Sequence, residues 1–127
     1  MNSKILVVDD ESDVVQMIDR MLTSEQFEVL HAYDGISALD VAEQEKPDLI
    51  LLDIMMPMMS GYEVCRQVRS NPQIQNIPVL FMSSGHSAEV RTQSQKAGAN
   101  TLIVKPFSPA ELIAQIRRHL PKPASES

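Results

Sequence analysis

The sequence predicts an α/β fold, a doubly wound five-stranded parallel sheet with helices on both faces, and three observations predict it. Five short apolar runs alternate with stretches of helical, 3.6-residue periodicity. Four of those runs are almost continuously apolar, as strands buried on both faces are. Proline and glycine fall between the two kinds of segment and seldom inside them. Right-handed crossovers turn such an alternation into one sheet covered on both sides, so the strand order must reverse somewhere.

The elements follow in order. Ile5-Leu-Val-Val8 is the first strand, and a helix beginning near Glu11-Ser12 presents Val14, Ile18 and Met21 on one face. In the second run, Phe27-Glu-Val-Leu30, Glu28 and the following His31 mark an edge strand, and the next helix lines up Ile36, Leu39 and Ala42. Leu49-Ile-Leu-Leu52 precedes a third helix with Val64 and Val68 on its apolar face. Val79-Leu-Phe-Met82 precedes a fourth, roughly Ala88 to Lys96, in which Glu89, Arg91, Thr92, Gln93, Ser94, Gln95 and Lys96 leave only Val90 and small alanines to bury. Loose anchorage is expected there. Leu102-Ile-Val104 leads to a fifth helix with Leu112, Ile116 and Leu120 aligned. Lys46-Pro47, Asn71-Pro72, Ile77-Pro78 and Lys105-Pro106 bound these elements, and Gly98 stands where a helix C-cap belongs.

At 127 residues the chain has the length of one domain, expected over residues 1–120, with 121–127 lacking apolar periodicity and reading as a disordered tail. The apolar share of 43% and charged share of 22% disfavour disordered, collagen-like and membrane classes. No segment approaches the roughly 20 apolar residues of a membrane span, and Met-Asn-Ser-Lys opens no signal-peptide pattern, so a cytoplasmic location is expected. Cys65 is the only cysteine, which excludes an internal disulfide and reads as a buried, reduced thiol. The formal charge of −6 argues against direct nucleic-acid binding. Arg117 and Arg118 fit the last turn of a helix, where the dipole and solvent accommodate cations.

In doubly wound sheets ligands bind beyond the carboxyl ends of the strands, where the order reverses. The residues there are Asp9-Asp10 after the first strand, Asp53 ending the third, Ser83-Ser84 after the fourth and Lys105 after the fifth. The second strand ends in Ala32-Tyr33-Asp34-Gly35, a turn with Asp34 as a cap. Asp9 and Asp10 have a second reading as caps of the helix that follows them. Asp53 is harder to place structurally, because a carboxylate ending so apolar a run is costly to desolvate without partners. Lys105 poses the same problem with the opposite sign.

Three carboxylates meeting in one crevice repel unless they protonate or bind a cation. A hard, oxygen-ligated ion such as Mg²⁺ suits them. His31, His86 and His119 are dispersed over different elements and offer no zinc site, while Met55, Met56, Met58 and Met59 read as adaptable packing residues rather than a copper site. A carboxylate beside Mg²⁺ with a lysine and a hydroxyl facing it is equipped for phosphoryl transfer, with Asp53 as nucleophile. Neither GxGxxG nor GxxxxGK[ST] occurs, so the phosphoryl donor must come from elsewhere.

With those residues in place, the segments Ile5-Leu-Val-Val-Asp-Asp-Glu11, Asp53-Ile-Met-Met-Pro-Met-Met-Ser-Gly61, Pro78-Val-Leu-Phe-Met-Ser83 and Lys105-Pro-Phe107 resemble the response-regulator receiver family of two-component signalling, over about Lys4 to Leu120. The resemblance is to the chemotaxis-regulator-like, single-domain kind. It implies a flavodoxin-like (βα)5 fold with strand order 2-1-3-4-5. It implies a phosphorelay signalling module rather than an enzyme, one that assists its own phosphotransfer and slow dephosphorylation. Asp53 would be phosphorylated by a sensor histidine kinase or histidine phosphotransfer protein. Asp10, Asp53 and the backbone carbonyl of Met55 would bind Mg²⁺, with Asp9 acting through water. Lys105 would contact the phosphoryl group, Ser83 would be the switch hydroxyl, and Lys105-Pro106 would be a cis peptide. A downstream target protein would recognise the surface around the fourth helix, fifth strand and fifth helix, in a monomer or weak dimer without nucleic-acid or membrane contact.

This chain departs from the family pattern where Leu102 occupies the position of the switch aromatic, which points to the weakly packed fourth helix as the mobile element. Met55 and Gly85 flank the expected phosphoryl position where some relatives carry polar side chains able to hold a water, so a long-lived phosphorylated state is expected. An aspartate-nucleophile phosphohydrolase would need an acid at position 55, which methionine cannot supply. A flavin-binding protein would need a phosphate loop where Asp9-Asp10-Glu11 would repel the phosphate.

Overall fold

The computed structural model describes residues 2–120, so the expectation for the 121–127 tail lies outside the described residues. The chain runs β1 (Lys4–Val8), α1 (Ser12–Ser24), β2 (Glu28–Ala32), α2 (Gly35–Glu45), β3 (Leu49–Asp53), α3 (Gly61–Ser70), β4 (Val79–Ser83), α4 (Ala88–Ala97), β5 (Thr101–Val104) and α5 (Pro109–His119). All strands are parallel, in the order β2-β1-β3-β4-β5. The fold class and strand order are those expected. No helix among the described residues is long and apolar enough to cross a membrane.

Strand alternation divides the core in two. Leu6, Val8, Ile50, Leu52 and Phe81 face α2 and α3, whereas Ile5, Val7, Leu49, Leu51 and Leu80 face α1 and α5. Every residue of β1's apolar run, β3 and β4 is buried, and after Lys4 at the start of β1 these central strands carry no polar side chain until their carboxyl ends.

Two expected helix faces are rotated from the reading above. In α1 the buried stripe is Val15, Ile18 and Leu22, not Val14 and Met21, which are only half-buried. Paired apolar residues at 14–15 and 21–22 offer two adjacent stripes, and only the seating of the helix on the sheet chooses between them. In α2 the buried residues are Gly35, Ala38 and Ala42, while Ile36 is 63% exposed. Small residues bring that helix close and turn the larger side chain outward. The fifth run also differs: β5 is the second edge strand, with Ile103 buried and its neighbours only partly covered.

Asp34 before α2 and Gly98 after α4 cap their helices as expected. Asp34 is the N-cap of α2, accepting from Ser37 N at 2.8 Å, and Ser60, Ser87 and Ser108 cap α3, α4 and α5 in the same way. Arg117 does more than complement a dipole: it pairs with Glu25 at 2.8 Å and lies over the Phe27 ring, joining α5 to the end of α1.

Helix α4 is anchored mainly by its second half, with Val90 alone packed against the core in the first. Among its residues Ser94 and Ala97 are buried, both in the second half, and the Ser94 hydroxyl donates to Val90 O at 2.7 Å. Beyond it, the Arg69 guanidinium donates to Gly98 O, Gln75 O, Ile77 O and Asn100 Oδ1, tying α3, α4 and the starts of β4 and β5 together. Gly98 has φ +94, and a Cβ there would lie 2.9 Å from Arg69 Cγ. Since four acceptors hold that guanidinium, the arginine cannot step aside. Gly98→Ala is therefore expected to lower stability by about 1–2 kcal/mol in urea unfolding, and an unchanged midpoint would refute the clamp.

Candidate functional site

The strand order reverses between β1 and β3: the chain leaves β1 toward β2 on one side and returns to β3 on the other. Val8 pairs with Leu52, Asp53 with Met82, and Ser83 with Val104, so the residues at or just beyond these strand ends stand at one level. That register brings Asp9, Asp53, Ser83 and Lys105 to the same end of the sheet, although as many as 96 positions separate them in sequence.

Asp9, Asp10 and Asp53 each offer a carboxylate oxygen within 4.8 Å of the others. Asp9 and Asp53 are buried and Asp10 is exposed at the crevice mouth. The Lys105 ammonium lies between the two buried acids, donating to Asp9 Oδ2 at 3.3 Å and to Asp53 Oδ1 at 3.2 Å. Asp9 Oδ1 accepts from Glu11 N at 3.0 Å. The N-cap of α1 is Glu11, which makes no side-chain cap bond. The capping reading of Asp9 and Asp10 is thus replaced by one in which Asp9 ties the turn before the helix to the crevice.

Ser83 is buried, its oxygen accepting from Gly85 N at 3.0 Å, and among the described residues no hydrogen bond joins it to the carboxylates. The Met55 side chain is 75% exposed. The cis peptide stands between Lys105 and Pro106 as expected. Leu102 is half-buried against the apolar layer shared with Val90.

Gly61, to which the sequence alone assigns no role, also belongs to the site. A Cβ there would collide with the Asp53 carbonyl oxygen and lie 2.8 Å from Ile54 Cα, both backbone atoms that cannot yield. Its N–H donates to Ile54 O at 2.8 Å, so the start of α3 presses on the backbone that carries Asp53. The only sequence signal was a glycine at a fixed distance after the aspartate.

The electrostatics follow from burial. Desolvation, followed by the nearby Asp9 charge, raises the Asp53 carboxyl from 3.8 to about 6, against the opposing pull of Lys105. For Lys105, burial works to lower the pKa but is outweighed by Asp53 and Asp9, so the ammonium is held above its ordinary value. One cation facing three carboxylates leaves an excess of negative charge among hard oxygen donors. That set fits Mg²⁺ and lacks the nitrogen or sulfur ligands that zinc favours.

A family model for the response regulator receiver domain matches residues 5–117. Among solved structures, the chemotaxis protein CheY4 of Vibrio cholerae is 34% identical, with 94% of this chain and 100% of that one covered and a TM-score of 0.91. A putative response regulator from Chloroflexus aurantiacus is 30% identical over 93% of this chain and 97% of its own, with a TM-score of 0.89. The receiver domain of the sensor histidine kinase PA1611 from Pseudomonas aeruginosa, described with a magnesium ion coordinated in its active site cleft, is 30% identical over 94% and 98% of the two chains, with a TM-score of 0.87.

A group whose pKa is raised by folding contributes stability below its unfolded pKa and loses it as pH rises through the folded value. In EDTA, Asp53→Asn is therefore expected to stabilise the fold at neutral pH by about 2–3 kcal/mol, the equivalent of the rise from 3.8 to about 6. The gap should close toward pH 4. A gap independent of pH would show that the Asp53 charge is not under strain.

Proposed function

The chain belongs to the response regulator receiver family of two-component signalling, and from that premise we propose that it is a phospho-acceptor switch whose acceptor is Asp53. The observation that carries the proposal is the crevice itself: three carboxylate oxygens within 4.8 Å and one ammonium bridging the two buried acids, at the strand-order reversal.

In the transfer, an Asp53 carboxylate oxygen forms a bond to phosphorus as the phosphorus–nitrogen bond of a phosphohistidine breaks, and that bond's electron pair stays on the imidazole nitrogen. Lys105 neutralises charge on the incoming phosphoryl oxygens, which requires its ammonium to shift from Asp9 and Asp53 toward them. Ser83 supplies a hydroxyl donor once its loop moves. Asp10, Asp53 and the Met55 carbonyl would hold Mg²⁺, with Asp9 acting through water, and when bound the ion would supply charge neutralisation for the transfer. A sensor histidine kinase or histidine phosphotransfer protein is the donor.

The output surface is the exposed face of α4, β5 and α5. The first half of α4 buries no side chain fully, so the end of α4 nearest Ser83 can shift while the Arg69 clamp holds the other end. With Leu102 in place of a ring, packing around Val90 and Leu102 is the route by which a Ser83 displacement reaches that face.

The test is intact mass after incubation with phosphoramidate. A gain of one phosphoryl group in Mg²⁺, absent in EDTA and in Asp53→Asn, is expected; labelling that survives Asp53→Asn would move the acceptor elsewhere. The phosphorylated state should persist for minutes or longer, because an exposed methionine and a glycine position no hydrolytic water. Met55→Asn, which leaves the backbone carbonyl in place, is expected to shorten that lifetime several-fold in a mass-spectrometric time course. A wild-type half-life of seconds would overturn the reading.

A further inference from the structure

Among the described residues five large apolar side chains are notably exposed, and four of them, Tyr33, Ile36, Met55 and Met58, come from the loop after β2 with the first turn of α2 and from the loop after β3. Ile36, Pro57, Met58 and Met59 line an open cleft of about 330 Å³ with Asp34 at its edge. Its position differs from that of the proposed output face, which lies at the β5 end of the sheet.

Met58 is the unusual residue. Its φ is +70, and Met59 N donates to Pro57 O at 2.8 Å across it, which makes a three-residue turn of the rare positive-φ hand. The other non-glycine residues with positive φ, Gln26 and Lys46, are polar and stand at helix ends. Met58 is also fully exposed. A glycine or asparagine would relieve the backbone and suit the solvent, so the fold gains nothing from methionine at this position. Strain combined with full apolar exposure fits a side chain that is buried only in a complex.

We propose that the Met58–Ile36 cleft seats a basic, amphipathic helix of the protein whose phosphohistidine supplies the phosphoryl group. This rests on the reading of Asp53 as acceptor. The cleft is built by the loop that leaves Asp53 at the end of β3 and by the residues that follow the end of β2, so its occupant sits at the carboxyl end of the parallel sheet, the end from which a donor must approach Asp53. Asp34 at the cleft, Asp10 and Glu11 on the same end of the sheet and the formal charge of −6 favour a partner carrying lysine or arginine beside its apolar face. They also disfavour a second copy of this chain. Methionine, flexible and polarizable, adapts to the ridges of a helix.

The experiment compares wild type, Met58→Asn, Ile36→Ser and Met58→Leu with two donors. One is phosphoramidate. The other is each histidine kinase or phosphotransfer domain of the source genome, phosphorylated on histidine beforehand. Phosphoramidate labelling should be equal in all four proteins, and Met58→Asn should melt no lower than wild type. Transfer from the protein donor should slow by roughly tenfold or more in Met58→Asn and Ile36→Ser, as truncating a central apolar anchor does, while Met58→Leu retains it. Equal transfer rates, or a wild type that phosphoramidate labels but no protein donor does, would overturn the docking site. Failure of phosphoramidate to label wild type would instead count against Asp53 as acceptor.

Discussion

A single ammonium between two buried carboxylates is the interaction on which the functional end of this molecule depends. Three central strands carry buried apolar runs up to their carboxyl ends, and two of them bring carboxylates to one point, Asp9 and Asp53, with Asp10 beside them. Without Lys105 that convergence would bury two like charges with no counterion. The ion pair is weak evidence for stability, since desolvation offsets much of the attraction. Its significance lies in poise: the Asp53 carboxyl, pushed up to about 6, is held where its charge is disfavoured unless a cation offsets it.

The scaffold around this point is rigid where geometry matters. Asp53 ends a fully buried strand, and Gly61 lets the start of α3 press against its backbone. Rigidity then falls off across the sheet. β5 is an edge strand, α4 is held by its second half and by Arg69, and the first half of α4 rests on little apolar surface. A site fixed on one side and bordered by a loosely packed helix on the other can pass a local change in charge to a distant face at small cost. Met58 is the exception within the rigid region, because its turn is strained without benefit to the fold.

Much was legible in the sequence because burial on two faces leaves an unambiguous signature. Leu49-Ile-Leu-Leu52 can only be a central strand, so Asp53 after it can only stand at a strand end. Edges were harder. Glu28 and His31 betrayed β2, but Leu102-Ile-Val104 reads like a buried strand and is an edge, since apolar residues say nothing about how well a neighbouring helix covers them. The helix faces failed for a related reason: two adjacent stripes in α1, and small residues beside a larger one in α2, leave the rotation of the helix undetermined.

The sequence by itself determined the alternation of strands and helices, the caps at Asp34 and Gly98, and the identities of the groups at the strand ends, because each depends on local periodicity and backbone preference. Only the tertiary structure decided that Lys105 reaches both Asp9 and Asp53, that Gly61 touches the Asp53 backbone, that Arg69 clamps the end of α4, and that Met58 and Ile36 share a cleft. These are contacts between residues far apart along the chain, fixed by strand register and helix seating, and pairwise distance across a sheet leaves no trace in the order of the residues.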